Sequence, residues 1–225
     1  LRAEDVGFGF GEDFHLSVPE LRIATGESAV LVGPSGSGKS TLTRLLVGIL
    51  LADSGCVEFG GVDWASLSER ERRLRRISNV GLVFQEFELL HHLSALENIL
   101  LPYHVQRDLS LDPEVFERAE ALARTAGVER LLRRKPANLS QGERQRVAIC
   151  RALVAEPRLV VADEPTGNLD PRTSMAVFEL LTSQVRDRGA TLVMVTHDHS
   201  LVDAFDRVIE FHSSAAGSVA RDLSE

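Results

Sequence analysis

Gly33-Pro34-Ser35-Gly36-Ser37-Gly38-Lys39-Ser40-Thr41 follows an apolar run, Ala29-Val30-Leu31-Val32, and leads into a helical pattern. A glycine-rich loop in that setting binds phosphate. Glycines let the main chain approach a polyphosphate, and successive N–H groups at a helix N-terminus direct positive dipole at it. Lys39 adds a full charge and the Ser40 hydroxyl can ligate Mg²⁺. Chance supplies the spacing G-x-x-x-x-G-K-[ST] on the order of 0.01 times in a chain of this length. The chemistry to seek elsewhere in the chain is therefore that of a nucleoside triphosphate.

A second reactive group stands at Leu159-Val160-Val161-Ala162-Asp163-Glu164-Pro165, an apolar run with the length of a buried parallel strand, ending in two carboxylates. Strand ends in parallel α/β sheets converge at the carboxyl edge, where a phosphate loop also lies. Asp163 is placed to reach Mg²⁺, and Glu164 to orient or deprotonate a water attacking the γ-phosphate. Alone, the pattern fits an acidic turn after a core strand equally well; the upstream phosphate loop turns the reading toward catalysis.

Asn138-Leu139-Ser140-Gln141-Gly142-Glu143-Arg144-Gln145-Arg146 runs into the helical pattern Val147-Ala148-Ile149-Cys150-Arg151-Ala152-Leu153. Ser140 is a good N-cap, Glu143 completes a capping box, and Gly142 permits close approach of a ligand. Local physics predicts a capped helix and nothing more. The segment also resembles the signature of ATP-binding-cassette ATPases, usually Leu-Ser-Gly-Gly-Gln, with Leu139, Ser140 and Gly142 matching and Gln141 and Glu143 departing. The resemblance covers nearly the whole chain and its other motifs appear in the family's order. Gln85, after Val80-Gly81-Leu82-Val83-Phe84, matches the glutamine that senses Mg²⁺ and the attacking water. Asn168-Leu169-Asp170 matches the D-loop. His197, ending the strand-like Thr191-Leu192-Val193-Met194-Val195-Thr196, matches the switch histidine at the γ-phosphate, although a lone histidine there would ordinarily be structural.

The resemblance implies ATP and Mg²⁺, with Ser40, Gln85 and Asp163 at the metal and Glu164, His197 and Gln85 in catalysis. It implies an aromatic ring against adenine; Phe10 is the candidate, Phe8 the alternative, and simple packing of the small β-region the remaining reading. It also implies a head-to-tail dimer in which Leu139 to Glu143 of one copy cover the nucleotide held by the other. Gln85 to Ile99 and Asp163 to Asp170 look like the bacterial branch of lipoprotein-releasing, macrolide-export and cell-division ATPases. In that branch a membrane partner docks beside Gln85, and apolar residues in Phe87 to Leu93 are candidates for the contact, with core packing as the other explanation.

The elements that must position these residues follow an α/β plan, a P-loop nucleotide-binding sheet of RecA-like type with an antiparallel β-region and an inserted helical subdomain. Residues 1 to about 32 alternate like antiparallel strands, Thr41 to Leu51 reads as a helix, and Cys56 to Phe59 as a strand. Helical periodicity covers Leu93 to Gln106, Pro113 to Ala126, Val128 to Arg134 and Ser140 to Ala155. No strand pattern intervenes between 79–84 and 158–162. We therefore expect 1–90 and 156–225 to form the nucleotide-binding core and about 91–155 the signature subdomain. The end after Ser213 is small and polar and is expected to fray.

Composition agrees. The chain has 225 residues, 44% of them hydrophobic, enough for one α/β domain or a core plus a small subdomain. A net charge of −8 argues against a nucleic-acid partner, and the arginine runs at 70–76 and 133–134 read as solvated helix faces. Lys39 and Lys135 are the lysines. Cys56 and Cys150 lack metal-ligand spacing and read as reduced thiols. No apolar stretch reaches the roughly 18 residues that span a bilayer, so a soluble chain is expected. A start at Leu1 rather than Met leads us to expect a few preceding residues. The resemblance implies an ATPase subunit, peripheral at the cytoplasmic face of the inner membrane, that powers a transport or extrusion complex through separate permease subunits. The alternative is a non-transport ATPase that signals mechanically to a membrane partner.

Overall fold

In the computed structural model, residues 1–11, 14–106, 109–214 and 217–223 are described. In chain order the elements are β1 (Arg2–Phe10), β2 (Phe14–Arg22), β3 (Ser28–Val32), α1 (Lys39–Leu46), β4 (Ser54–Phe59), β5 (Val62–Asp63), α2 (Glu69–Asn79) and β6 (Val80–Val83). There follow α3 (Ala95–Ile99), α4 (Leu101–Val105), α5 (Pro113–Thr125), α6 (Gln141–Leu153), β7 (Leu159–Asp163), α7 (Pro171–Asp187), β8 (Thr191–Val195), β9 (Arg207–Ser214) and β10 (Gly217–Asp222). The expected α/β class holds. The chain divides into two compact units, Leu1–Arg76 with Thr191–Glu225, and Ile77–Ala190.

In the first unit the strands run in the order β5-β4-β1-β2-β10-β9-β3-β8. β1 pairs antiparallel with β2 and β4, whereas β3 pairs parallel with both β8 and β9. Alternation in β2 buries Leu16 and Val18 while Ser17 and Pro19 stay exposed, as a half-solvated antiparallel strand requires. β3 and β8 are instead buried along almost their whole length, which is why their sequences are continuous apolar runs. Leu42, Leu45 and Leu46 line the inward face of α1, which packs against β4 and β8.

In the second unit β6 and β7 pair parallel, with Val83 opposite Ala162. The strandless insertion is borne out: among the described residues no strand lies between them. α6 forms the centre of this unit, packing on β6, α3, α5 and α7. A Cβ on Gly81 of β6 would lie 2.4 Å from the Ala152 carbonyl oxygen, so this strand and helix touch main chain to side-chain-free main chain.

Several helix ends differ from the periodicity. The expected helix at 41–51 spans Lys39–Leu46 instead, because Gly48 takes a left-handed φ of 68° and the indole N–H of buried Trp64 donates to the Leu46 carbonyl at 3.0 Å. The expected helix at 93–106 breaks into α3 and α4. Pro102 has no N–H with which to continue the helical ladder, and its ring disfavours the preceding turn. Residues 128–134 form only a 3₁₀ turn at Glu129–Leu131. The carbonyls of Leu132 and Arg134 accept from Leu96 and Ala95, and Pro136 pushes Lys135 to an extended conformation, so the backbone is committed elsewhere. The end does not simply fray after Ser213: Gly217–Asp222 forms β10, antiparallel to β9 and parallel to β2.

Gly48 supplies a test of this packing. A Cβ there would stand 2.6 Å from Trp64 Cδ2 in a conformation that costs an L-residue about 1–2 kcal/mol. Gly48→Ala is expected to lower the thermal midpoint by roughly 5–10 °C once crowding adds about 1–3 kcal/mol, measured by calorimetry.

Candidate active site

The phosphate loop leaves buried β3 at Val32 and enters α1 at Lys39. Gly33 has φ 146° and a Cβ on it would lie 2.7 Å from Phe211 Cβ on β9. Gly38 has φ 96° and its Cβ would lie 2.9 Å from the Phe14 ring. Glycine at these two positions answers both to the backbone angle and to the lack of room. Pro34, Ser35 and Gly36 form the exposed crest, and Ser37 N donates to Pro34 O at 3.3 Å to close the turn.

Three features suit a polyphosphate. Gly38, the N-cap of α1, brings no side chain to the first N–H groups of the helix, whereas Ser140 and Asp170 cap α6 and α7. The Ser37 hydroxyl is buried and has no hydrogen-bond partner among the described residues. Lys39 is 8% exposed, and its ammonium donates to the Gly33 and Pro34 carbonyls at 2.8 and 2.7 Å, which holds a positive charge at the loop. Ser40 and Thr41, half-buried, occupy the first turn of α1.

His197 stands at the same edge. Leu31 pairs with Val195 in parallel register, and Thr196 N donates to Leu31 O at 3.3 Å. β3 and β8 therefore release the phosphate loop and exposed His197 in the same direction. Phe10 ends β1, 51% exposed, with its ring edge-on to Phe8 at 4.8 Å and 5.9 Å from Phe14. Phe14, paired with Phe10 across the hairpin and touching Gly38, is an aromatic candidate that motif reading missed. Its signal was the aromatic pair flanking a turn.

The second unit gathers the other residues. Gln85 follows β6 and Asp163 ends parallel β7, so both leave one sheet edge. Glu164 has φ 48°, a left-handed conformation strained for a glutamate, and its carbonyl accepts from Gly167 N at 3.1 Å. A Cβ on Gly167 would lie 3.3 Å from Gln85 Nε2 and 3.6 Å from Glu164 Cβ, so the amide and the strained glutamate meet over this glycine. Asn168 is exposed, Leu169 half-buried, and Asp170 caps α7 by accepting from Thr173 N at 3.2 Å. Hydrogen bonding by Thr173 holds the Asp170 carboxyl below the usual range.

The expected capping box is present: Ser140 N donates to Glu143 Oε2 at 2.7 Å, and Glu143 N donates to Ser140 Oγ at 3.3 Å. The Ser140 N–H keeps the Glu143 carboxyl below the usual range. Leu139 is buried, whereas Ser140 and Gln141 are exposed at the start of α6. Gly142 faces α7, where a Cβ would meet Thr173 Cγ2 at 2.6 Å. Beyond Gln85, an open cavity of about 180 Å³ is lined by Glu86, Phe87, Glu88, Leu89, His91, Pro136 and Arg144. Fully buried Asn98 holds the following turn, accepting from Leu90 N and donating to the Leu90, Leu93 and Ser94 carbonyls.

Comparison with known proteins agrees with this arrangement. The family model described as ABC transporter matches residues 16–167. The lipoprotein-releasing system ATP-binding protein LolD of Legionella pneumophila strain Paris is 42% identical over 196 residues, 87% of this chain and 86% of that protein. LolD of Xanthomonas campestris pv. campestris strain 8004 is 40% identical over 226 residues, 98% and 93% of the two chains. The dimeric ATP-binding cassette MJ0796, in a post-hydrolysis state with ADP and Pi, superposes with a TM-score of 0.83 at 34% identity and 93% coverage of both chains. CbiO1 from Clostridium perfringens, part of the ABC transporter complex cbiONQ, gives 0.81 at 28% identity, covering 93% of this chain and 83% of that one. With its phosphate loop, paired carboxylates and capped signature helix, the chain belongs to the ABC transporter family as one of its ATP-hydrolysing subunits.

Proposed function

We propose that this chain drives a lipoprotein-releasing type of complex from the cytoplasmic face of the inner membrane, as a dimer bound to integral membrane permease subunits. The observation that carries its nucleotide chemistry is the glycine loop, with a helix start lacking a side-chain cap, a buried hydroxyl without a partner among the described residues and a resident ammonium on one short segment. The cargo class rests on likeness to the lipoprotein-releasing proteins along most of both chains. Among the described residues no helix is long and apolar enough to cross a membrane; in this reading the path belongs to the permease subunits.

In this reading Gly33 to Thr41 hold the triphosphate, with Lys39 exchanging its two loop carbonyls for phosphate oxygens. Phe10 stacks on adenine. Ser40, Asp163 and Gln85 would hold Mg²⁺, a hard ion bound by few protein oxygens plus phosphates, and the ion would supply charge neutralisation at the triphosphate. Glu164 orients the attacking water and accepts its proton as the bond to the γ-phosphorus forms and the bond to ADP breaks. His197 and Gln85 steady the γ-phosphate and the water. Leu139 to Glu143 of a second copy cover that phosphate, and Asn168 to Asp170 lie at the same junction. Because the closed dimer holds ATP more tightly than the open one, binding and hydrolysis move whatever is attached. Residues 1–90 with 156–225 serve as the nucleotide-binding core and about 91–155 as the signature subdomain. The permease docks on Phe87 to Leu93, where Leu90 is 39% exposed beside the cavity.

Reconstitution with the copurifying permease in proteoliposomes tests the cargo. ATP-dependent release of an acylated protein to a soluble acceptor is expected; turnover without movement of any lipidated protein would favour the signalling alternative.

Glu164→Gln keeps size and hydrogen bonding while removing the base. ATP affinity is expected to stay within a few-fold while turnover falls by about 10²–10⁴, and the ATP-bound dimer should accumulate on gel filtration. Wild-type turnover would remove Glu164 from catalysis.

Mixed dimers test the shared site. Lys39→Ala and Ser140→Arg homodimers should both be inactive, whereas mixing them restores one composite site because both lesions fall together at the other. No recovery after demonstrated subunit exchange, or an active Ser140→Arg monomer at high dilution, would reject the shared arrangement.

A further inference from the structure

The helical run Val147 to Leu153 contains one charged residue, Arg151, which is 9% exposed inside the second unit. Burial pulls its guanidinium below the ordinary value, and the Glu88 carboxylate pushes back. Such a charge is tolerated only when its donors are used. Arg151 Nη2 donates to the Phe87 carbonyl at 2.8 Å and Nη1 donates to the Glu88 carbonyl. Both acceptors belong to residues in left-handed backbone, Phe87 at φ 65° and Glu88 at φ 49°. Neither is glycine, so this pair is strained and needs support from outside the loop.

A second arginine on the same helix face reaches the same place. Arg144 precedes Arg151 by two helical turns and stands over the Phe87 ring at 5.4 Å from its centroid. Gly142, about 200° around the helix from Arg144, meets Thr173 of α7. One rigid helix thus begins at the signature, packs one side on the helix that follows the D-loop, and grips the chain two residues beyond Gln85 with the other.

We infer that Arg151 is a positioning residue for hydrolysis: its fork holds Phe87 and Glu88 left-handed, and thereby keeps Gln85 at Gly167 and Glu164 and ties its placement to the signature helix. The inference rests on the assignment of Gln85 to the attacking water. Lysine is not equivalent to the fork: Nη1 and Nη2 each serve a different carbonyl from fixed positions, whereas an ammonium is a single point charge, more strongly hydrated and costlier to bury.

The test is a double-mutant cycle on steady-state ATP turnover by the full chain. Gln85→Ala and Arg151→Lys should each lower kcat by about tenfold or more with KM for ATP within twofold, since a small misplacement at the reacting centre costs rate. The double variant should be no slower than Gln85→Ala alone. Glu88→Pro, which leaves α6 intact and forbids positive φ at an exposed position, should give the same split. Wild-type kcat in Gln85→Ala would overturn the glutamine assignment and the inference with it. A normal kcat in Arg151→Lys, or losses that multiply in the double variant, would overturn the clamp alone. If Arg151→Lys does not fold, a normal kcat in Glu88→Pro overturns it in the same way.

Discussion

The first N–H groups of a helix have no acceptor inside that helix, and the phosphate loop depends on leaving that deficit in place. A side-chain cap at residue 38 would satisfy the donors and spoil them for an anion; glycine cannot supply one. The same residue must turn left-handed beside the Phe14 ring, which again admits only glycine. Holding such a loop open requires a rigid approach, and β3 provides it, buried along almost its whole length with parallel neighbours on both sides. Phe211 of β9 closes one flank so tightly that Gly33 has no room for a Cβ. Sheet, loop and helix are therefore three consequences of one requirement, that the helix start be aimed and left without a side-chain cap.

Left-handed backbone also falls on side-chain-bearing residues, at Asp5 in the first unit and at Phe87, Glu88, Glu156 and Glu164 in the second. Phe87, Glu88 and Glu164 all have φ between 48° and 65°, where an L-residue loses about 1–2 kcal/mol. Glycine would remove that cost and with it the side chain, which Glu164 needs for the assigned chemistry. The opposing contributions are specific. The Glu164 carbonyl is held by Gly167 N, the carbonyls of Phe87 and Glu88 by Arg151, and the turn beyond them by Asn98. Three of the four strained residues of this unit thus flank Gln85 or stand at Glu164, the fourth being Glu156 in the turn between α6 and β7.

What was legible in the residue string was whatever depends on local order. The phosphate loop, the two carboxylates after an apolar run and the box at Ser140 are contiguous patterns whose neighbours decide their structure. The split at Pro102 has a local signal as well, because proline fits the first turn of α4 but lacks the N–H that would continue the ladder from α3, although the apolar spacing runs across it. Other features had no local signal. The stop of α1 depends on an indole that comes 18 residues after Leu46, and the turn at Glu129–Leu131 on carbonyls drawn toward α3. Phe14 and Arg151 matter through contacts with Gly38 and with Phe87 and Glu88, which only folding creates. A lone arginine in an apolar helix was the trace of the latter.

The departures from the common signature can now be sorted by cause. At the third position Gln141 is exposed and takes no positive φ, so the backbone there makes no demand for the glycine usual in the family. At the fourth, Gly142 meets Thr173 so closely that any side chain would separate α6 from α7, which explains its presence without reference to nucleotide. At the fifth, glutamate and glutamine both complete a capping box with serine, and Glu143 does so here through Ser140 N. The local shape that either residue supports is the same. Only the charge differs, and it lies in the first turn of a helix, where the N-terminal dipole favours an anion and Arg146 and Arg134 add attraction. Glu143 therefore preserves the geometry of the signature helix and alters only the field at its end, so it bears on how strongly a second anion is drawn there rather than on whether the helix can present Ser140.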